Sequence, residues 1–188
     1  MTRAETAQMF FNLLLEKNIE ISQTFPDLPE GAWFRTAVET LASLGVFAWP
    51  SDGEFHPSDP ITRAEFVSIA VRFTHEVLGA RHVTEFTDVP ESHWAHNDIV
   101  TAASYGWIHG YGDGRFQPDR QISRAEVVVL TNRLLGRVPD REYIGDHTGL
   151  RFFGDVPTTH WAFYDIAEAS NVHHYAGHVQ DDGEDWED

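Results

Sequence analysis

The sequence predicts an all-helical fold of three repeats around a shared core, and three observations carry that prediction. A Thr/Ser-Arg-Ala-Glu motif occurs three times, each copy is followed by a Phe-x-Asp-Leu/Val motif, and a Trp follows each motif Asp by six residues. The first motif occupies residues 2–5, 62–65 and 123–126, and the second occupies residues 25–28, 86–89 and 153–156. Motifs in a fixed order at nearly constant spacing indicate a repeat architecture.

The Thr/Ser-Arg-Ala-Glu motif predicts the start of a helix in each repeat. In such a capping box the hydroxyl and the Glu each satisfy a backbone N–H that has no partner within the helix. Apolar residues then follow at helical spacing. They are Ala4, Ala7, Phe11 and Leu14 in the first copy, Phe66, Ile69, Ala70 and Phe73 in the second, and Val127, Leu130 and Leu134 in the third.

A second helix is predicted to run from each motif Trp. Its apolar positions are Val38, Leu41 and Leu44, then Ile99, Ala102 and Tyr105, then Ile166, Ala169 and Val172. Asp-Gly followed by Phe-x-Pro, at 52–57 and 113–118, predicts a tight turn between short extended pieces. One repeat is therefore a Trp helix, a turn and a capped helix. A unit this short cannot bury its apolar face alone, so we expect the three to pack together.

The copies are divided between the two ends of the chain. The chain opens on a capped helix and closes on a Trp helix, so residues 1–188 are predicted to form one module in which both termini complete the third unit. The repeat cores are approximately 25–80, 86–137 and 153–188, the last completed by 1–24. Asp182-Gly183-Glu184 with Trp186 resembles the turn that the third copy lacks. The longer segment 137–151 is predicted to be a polar surface loop.

Composition excludes several classes of function. Thirteen basic against thirty acidic residues give a net charge of −17, and without a basic patch this argues against a nucleic-acid partner. No apolar run reaches the roughly 18 residues that a membrane span needs. The chain has no Cys, which excludes disulfides, thiolate catalysis and cysteine-ligated metals. Because Met1 is not followed by a signal peptide, we expect either an intracellular chain or a missing upstream part.

Arg3, Arg63 and Arg124 are the first candidates for a binding site. Each lies at a first helical position, where the helix dipole disfavours a cation. Free N–H groups at a helix start attract anions, and an adjacent Arg would complete an anion site. The alternative is a structural ion pair between each Arg and a nearby Asp: Asp27, Asp88 or Asp155.

Trp33, Trp94 and Trp161 are the second candidates. They are either core aromatics at the start of a helix or rim aromatics that stack on a sugar face. An indole can bury one edge and expose the other, so the two interpretations are compatible.

Taken together, these motifs resemble the S-layer homology domain. The resemblance rests on Phe-x-Asp-Val, His-Trp-Ala at 93–95 and 160–162, Gly-Tyr-x-Asp-Gly-x-Phe-x-Pro and Ile-Thr-Arg-Ala-Glu, and it covers roughly residues 2–175. It implies a pseudo-threefold helical prism with grooves between the repeats. It also implies an extracellular location at the bacterial cell wall or S-layer, and non-covalent anchoring of surface proteins there. The implied ligand is a secondary cell-wall polysaccharide with anionic pyruvate ketals.

The resemblance also implies which residues bind the ligand. They are Arg3, Arg63, Arg124, Trp33, Trp94, Trp161, Asp27, Asp88, Asp155 and, before the motif Tyr, Gly110. The first turn has Trp49-Pro50 in place of Gly-Tyr, and the third copy has 171–175 in place of its Gly-containing segment. Not every groove need therefore bind, and the middle of the chain, with Trp94, Gly110 and Arg124, is the favoured site.

Three other functions compete with this interpretation. A glycosidase needs two carboxyls about 5 to 9 Å apart, and no unique acid pair stands out, so we expect no catalytic residue. His173, His174 and His178 lie near Asp181, Asp182 and Glu184, but without a clear helical pattern, so no metal or cofactor is expected. The domain could instead join S-layer protomers through exposed aromatics such as Trp49 and Trp186, or bind peptidoglycan without recognising pyruvate.

Overall fold

The fold is helical, as predicted, with a short strand pair near the C-terminus. A computed structural model describes residues 1–47, 52–74, 85–172, 174–179 and 183–187, with the backbone alone in the last two segments. The elements are α1 (Arg3–Leu13), α2 (Arg35–Ser43), α3 (Arg63–Thr74), α4 (His96–Ser104), α5 (Arg124–Leu134), α6 (Arg141–Asp146), α7 (Phe163–Ser170), β1 (His174–Val179) and β2 (Gly183–Glu187). They form two compact units, Met1–Ile122 and Ser123–Asp188. None of the described helices is long and apolar enough to cross a membrane.

The three capped helices α1, α3 and α5 begin where the sequence predicts. At α1 the Glu5 amide donates to Thr2 Oγ1 at 3.2 Å, and the Thr2 amide donates to Glu5 Oε2 at 2.7 Å. The same reciprocal pair forms between residues 62 and 65 and between residues 123 and 126. Each capping box satisfies two backbone donors, so each helix start is fixed by local sequence.

The second helix of each repeat starts two residues after its Trp rather than at it, because helix geometry begins at Arg35, His96 and Phe163. Each one packs on the capped helix that precedes it in sequence: α2 on α1, α4 on α3 and α7 on α5. The first capped helix therefore has a packing partner within its own unit. The prism arrangement, and completion of the third unit by both termini, stay predictions.

Four fully buried Phe side chains lie in the core of the first unit. Phe10, Phe55, Phe66 and Phe116 are each 0% exposed, and the Phe10 ring lies 5.5 Å from that of Phe66. On α1 the predicted positions Ala4 and Ala7 are buried, but the buried aromatic residue is Phe10 rather than Phe11, which is only partly buried. On α2 and α4 the predicted positions Val38, Leu41, Ile99 and Ala102 are fully buried.

The segment 137–151 is not the polar loop that its length predicts. It contains α6, which is capped by the Asp140 carboxylate accepting from the Tyr143 amide at 2.9 Å. Ile144 of α6 is 2% exposed and packs with Phe163 and Ala167 of α7. The insertion thus supplies an apolar cover for α7.

That cover changes which face of α7 is buried. Ala167 is buried, whereas Ala169 and Val172, which were predicted to be core residues, are exposed. Helical periodicity alone could not indicate the contact with α6, because the partner comes from an insertion that the other repeats lack.

The C-terminal segment contains an antiparallel pair, β1 with β2. Gly183 lies opposite Val179, and Trp186 lies opposite Tyr175. Asp181 and Asp182 lie outside the described residues, as do Trp49, Pro50 and His173 and the side chains of His174 and His178. The predictions made on these residues are therefore not addressed by the structure.

Candidate ligand-binding site

The side chains of Asp27 and Asp88 each bind the backbone amides of one Asp-Gly turn. The Asp27 carboxylate accepts hydrogen bonds from the amides of Phe55 at 2.9 Å and His56 at 2.7 Å. The Asp88 carboxylate accepts from Phe116 at 2.8 Å and Gln117 at 2.7 Å. Hydrogen bonds to an ionised acceptor are stronger than neutral ones. The motif Asp is therefore a structural clamp in the first two repeats, and it is not the partner of the motif Arg.

Each clamp is backed by a pair of aromatic rings. The Phe25 and Phe55 rings lie 5.5 Å apart, and those of Phe86 and Phe116 lie 5.4 Å apart. Gly110 is explained by this packing, because a Cβ there would lie 2.5 Å from the Phe86 ring and 2.9 Å from the Arg115 carbonyl oxygen. The glycine accommodates a neighbouring ring of the same chain.

Arg3 and Arg63 fasten the same two turns from the other side. Arg3 Nε donates to the Phe55 carbonyl at 2.8 Å, and Arg63 Nε donates to the Phe116 carbonyl at 2.9 Å. Both side chains are buried, at 4% and 7% exposure, and each guanidinium lies over the Phe ring of its turn. The turn is thus gripped at its amide by Asp and at its carbonyl by Arg.

Arg3 also pairs with the next capped helix. Its Nη1 lies 2.7 Å from Glu65 Oε1, the acid of the second capping box. This explains an arginine at the first helical position, since the unfavourable helix dipole is offset by a carboxylate from another helix start. Sequence reasoning missed this Glu because the capping box already accounted for it. Arg3 Nη2 is buried and has no hydrogen-bond partner among the residues that the structure describes.

The third motif Arg, Arg124, differs from Arg3 and Arg63 in its burial and its contacts. Arg124 is exposed, and within the part of the chain that the structure describes its side chain makes no hydrogen bond or ion pair. Asp155 is likewise exposed and without a hydrogen bond among the described residues. The structure therefore joins Arg3 with Asp27, and Arg63 with Asp88, through a shared turn, and it does not join Arg124 with Asp155.

The three motif indoles lie at the surface. Trp33, Trp94 and Trp161 are 63%, 55% and 63% exposed. Their ring contacts are with sequence neighbours, Phe34, His93 and His160. The His93 and His160 rings accept from the amides two residues on, which fixes each ring beside its Trp. These indoles are therefore surface residues rather than core residues.

A charged cluster lies on the first turn. His56 Nε2 lies 2.9 Å from Asp52 Oδ2, and its Nδ1 lies 3.9 Å from Glu54 Oε2. Donor atoms of Asp27, Glu54 and His56 all lie within 4.8 Å of one another. Both Asp27 oxygens already accept backbone N–H groups, so the geometry is explained without an ion. The hydrogen bond to Asp52 raises the pKa of His56 above 6.5 and lowers the pKa of Asp52 below 3.8.

We expect Asp52→Asn to lower the pKa of His56, as followed by the imidazole proton shifts in NMR. A raised folded-state pKa gives stability that is present below pH 6.5 and is lost as the pH rises through the folded value. The variant should therefore lose most stability against the wild type in the window between pH 3.8 and 6.5, and the difference should shrink as the pH rises through the folded pKa of His56. In His56→Gln, which carries the residue of the second turn, this pH dependence should be absent. An unchanged His56 pKa in Asp52→Asn would contradict the assignment.

Comparison with known proteins gives one family and several relatives. Residues 24–67 and 85–128 match the S-layer homology domain. The chain is 37% identical over 185 residues to a cellulosome-anchoring protein of Acetivibrio thermocellus, an alignment that covers 93% of this chain and 39% of that protein. It is 33% identical over 187 residues to cell surface glycoprotein 1 of the same organism, across 93% of this chain and 8% of that protein. It is also 28% identical over 168 residues to exoglucanase XynX of Acetivibrio thermocellus, across 87% of this chain and 15% of that protein.

Proposed function

Because this chain carries two repeats that match the S-layer homology domain, we propose that it attaches a surface protein non-covalently to the bacterial cell wall. Its ligand is an anionic secondary cell-wall polysaccharide with pyruvate ketals. The observation that carries the proposal is the set of three exposed indoles, one in each repeat. Burying an exposed aromatic face against a sugar ring is favourable, and a polysaccharide offers such faces repeatedly.

Arg124 supplies the charge that selects an anionic sugar. It lies at the start of α5, where backbone N–H groups and the helix dipole also favour a negative group. Its exposed guanidinium can donate two parallel hydrogen bonds to a carboxylate. The net charge of −17 opposes an anionic ligand, but screening over about 8 Å at physiological salt limits that repulsion to nearby carboxylates.

Five of the other predicted residues support the fold of the two turns rather than contact the ligand. Arg3, Arg63, Asp27 and Asp88 fix the two turns, and Gly110 lets the second turn close on Phe86. The carboxylates of these clamps are used as hydrogen-bond acceptors for backbone amides. The proposed function is that of a binding module without catalysis, cofactor or metal.

The chain spans 39% of the cellulosome-anchoring protein and 8% of the surface glycoprotein that it matches. A module that recurs within longer proteins of different names is suited to carry different cargo. Within this proposal the chain works at the extracellular cell wall, and S-layer protomers are candidates for the attached protein. The names of the anchoring and surface relatives support that placement.

The test is isothermal titration calorimetry with purified pyruvylated wall polysaccharide and with a depyruvylated sample. We expect binding to require the pyruvate. Arg124→Ala should weaken the affinity about tenfold through loss of a charge-assisted hydrogen bond. Trp33→Ala, Trp94→Ala and Trp161→Ala should each weaken it about fivefold where that indole contacts the glycan, from a stacking energy of about 1 kcal/mol.

All four of these side chains are exposed, so the variants should keep the wild-type circular dichroism spectrum and unfolding midpoint. Equal binding of both polysaccharide samples would replace pyruvate recognition by attachment to another wall component such as peptidoglycan. A folded wild type that binds neither sample would leave protein–protein assembly as the function.

A further inference from the structure

The Phe-x-Asp-Val corner of the third repeat keeps the backbone of the first two. The Val156 amide donates to the Phe153 carbonyl at 3.0 Å, and the Val89 amide donates to the Phe86 carbonyl at 3.1 Å. The next turn is repeated as well, with His160 N to Pro157 O and His93 N to Pro90 O both at 2.8 Å. The third corner is therefore already folded in the form that receives an Asp-Gly turn in the other repeats.

The side chains of this corner lack the partner that the other two have. Phe25 and Phe86 are 5% and 7% exposed because a turn Phe packs on them, whereas Phe153 is 42% exposed. Asp155 accepts no hydrogen bond from the described residues, whereas Asp27 and Asp88 each accept two.

An apolar pocket lies at the same corner, with Phe153 and Val156 in its lining. It is small and partly open to solvent. Its apolar lining comes from Phe152, Phe153, Val156, Phe163, Ile166 and Ala167, with Arg151 at one side. In the first two repeats the corresponding turn residues, Phe55 and Phe116, are 0% exposed.

We propose that this open corner, formed by Phe153, Asp155 and the pocket beside them, binds a Gly-x-Phe-x-Pro turn segment from another polypeptide. The aromatic ring packs on Phe153 at the open side of the pocket, and the amides of the Phe and of the residue after it donate to the two Asp155 oxygens. The occupant is inferred from the two filled copies in the same chain, where this sequence makes these contacts. The inference goes beyond glycan attachment, because it gives the domain a site for a protein segment.

The chain's own C-terminal segment is a poorer occupant. The backbone of Gly183–Glu187 is paired with His174–Val179, and residues 181–188 contain six acids and no Pro. Bringing these acids to Asp155 would place like charges together. The turn at 113–118, by contrast, carries an Arg and ends in Pro.

The experiment is an NMR titration of the 188-residue chain with a peptide of residues 109–119, which contains the second turn. We expect saturable shift changes centred on Phe153, Asp155 and Ile166. Asp155→Asn should weaken the affinity about tenfold, because the acceptor loses its charge. Asp146→Asn, the same change at an exposed position of α6, should leave the affinity within twofold.

A peptide with Phe replaced by Ala should not bind, since the ring is the part that packs on Phe153. Absence of binding by the wild type, or equal binding by Asp155→Asn, would overturn the proposal. Binding only after Trp186→Ala would also overturn it, because the C-terminal segment would then be the occupant. None of these results depends on whether the domain binds a wall polysaccharide, so failure here is distinguishable from failure of the proposed function.

Discussion

Replacing Arg3 with Ala is expected to lower the free energy of unfolding by about 3 kcal/mol, measured by urea denaturation. The change removes the partner of Glu65 and leaves the Phe55 carbonyl without its donor. Breaking a buried ion pair from one side is costly because the other group stays desolvated and unpaired. Glu65 is 29% exposed, which places the expected value at the low end for such pairs.

Arg124→Ala is the matched control, because it removes the same residue from the same position of the same motif. Arg124 is exposed, so its loss should change the free energy of unfolding by no more than about 0.5 kcal/mol. Equal effects of the two substitutions would show that burial does not distinguish the arginines. In that case the contacts of Arg3 with Phe55 and Glu65 would not be what stabilises the first unit.

Asp88→Ala is expected to cost about 2 to 3 kcal/mol, because the amides of Phe116 and Gln117 both lose a charged acceptor. Gln117 has φ of 59°, in the left-handed region, so the turn has little freedom to find other partners. The measurement is again the free energy of unfolding, with the tryptophan fluorescence of the native state as a check on the fold.

Asp155→Ala tests the same motif position without the turn. Since Asp155 is exposed and makes no hydrogen bond among the described residues, its replacement should be nearly neutral. Asp88→Asn should lie between the two, because the amide keeps one acceptor oxygen and loses the charge. A neutral Asp88→Ala would contradict the structural role given to this residue.

The local features of this fold could be predicted from sequence because their causes are local. A capping box needs residues three apart, and all three boxes form where the motif predicts. Helical spacing placed Val38, Leu41 and Ile99 in the core, and all three are 0% exposed. The motif pattern does not decide whether the repeated Trp is buried or exposed, and the structure shows it exposed.

The roles of the motif charges could not be predicted in the same way. Two alternatives were open for Arg3, an anion site or a pair with Asp27, and its ionic partner is Glu65, 62 residues away. Asp27 and Asp88 clamp amides 28 residues downstream, which spacing alone does not indicate. The helix in 137–151 was missed because it is stabilised by contact with α7, and its six residues are too few for a clear periodicity.

The grip of Arg3 on a distant turn bears on how the first unit folds and unfolds. Its bonds to Phe55 and Glu65 close loops of 52 and 62 residues, so the entropy of closing the chain is spent before these contacts form. In a solenoid, neighbours touch only across their interface and a terminal repeat can fray alone. Here Arg3 of α1 contacts Glu65 at the start of α3 as well as Phe55 of the first turn. Unfolding of α1 therefore removes contacts from residues far downstream in the chain. Removing one repeat would therefore break these contacts. For the same reason we expect the first unit to unfold in a single cooperative transition.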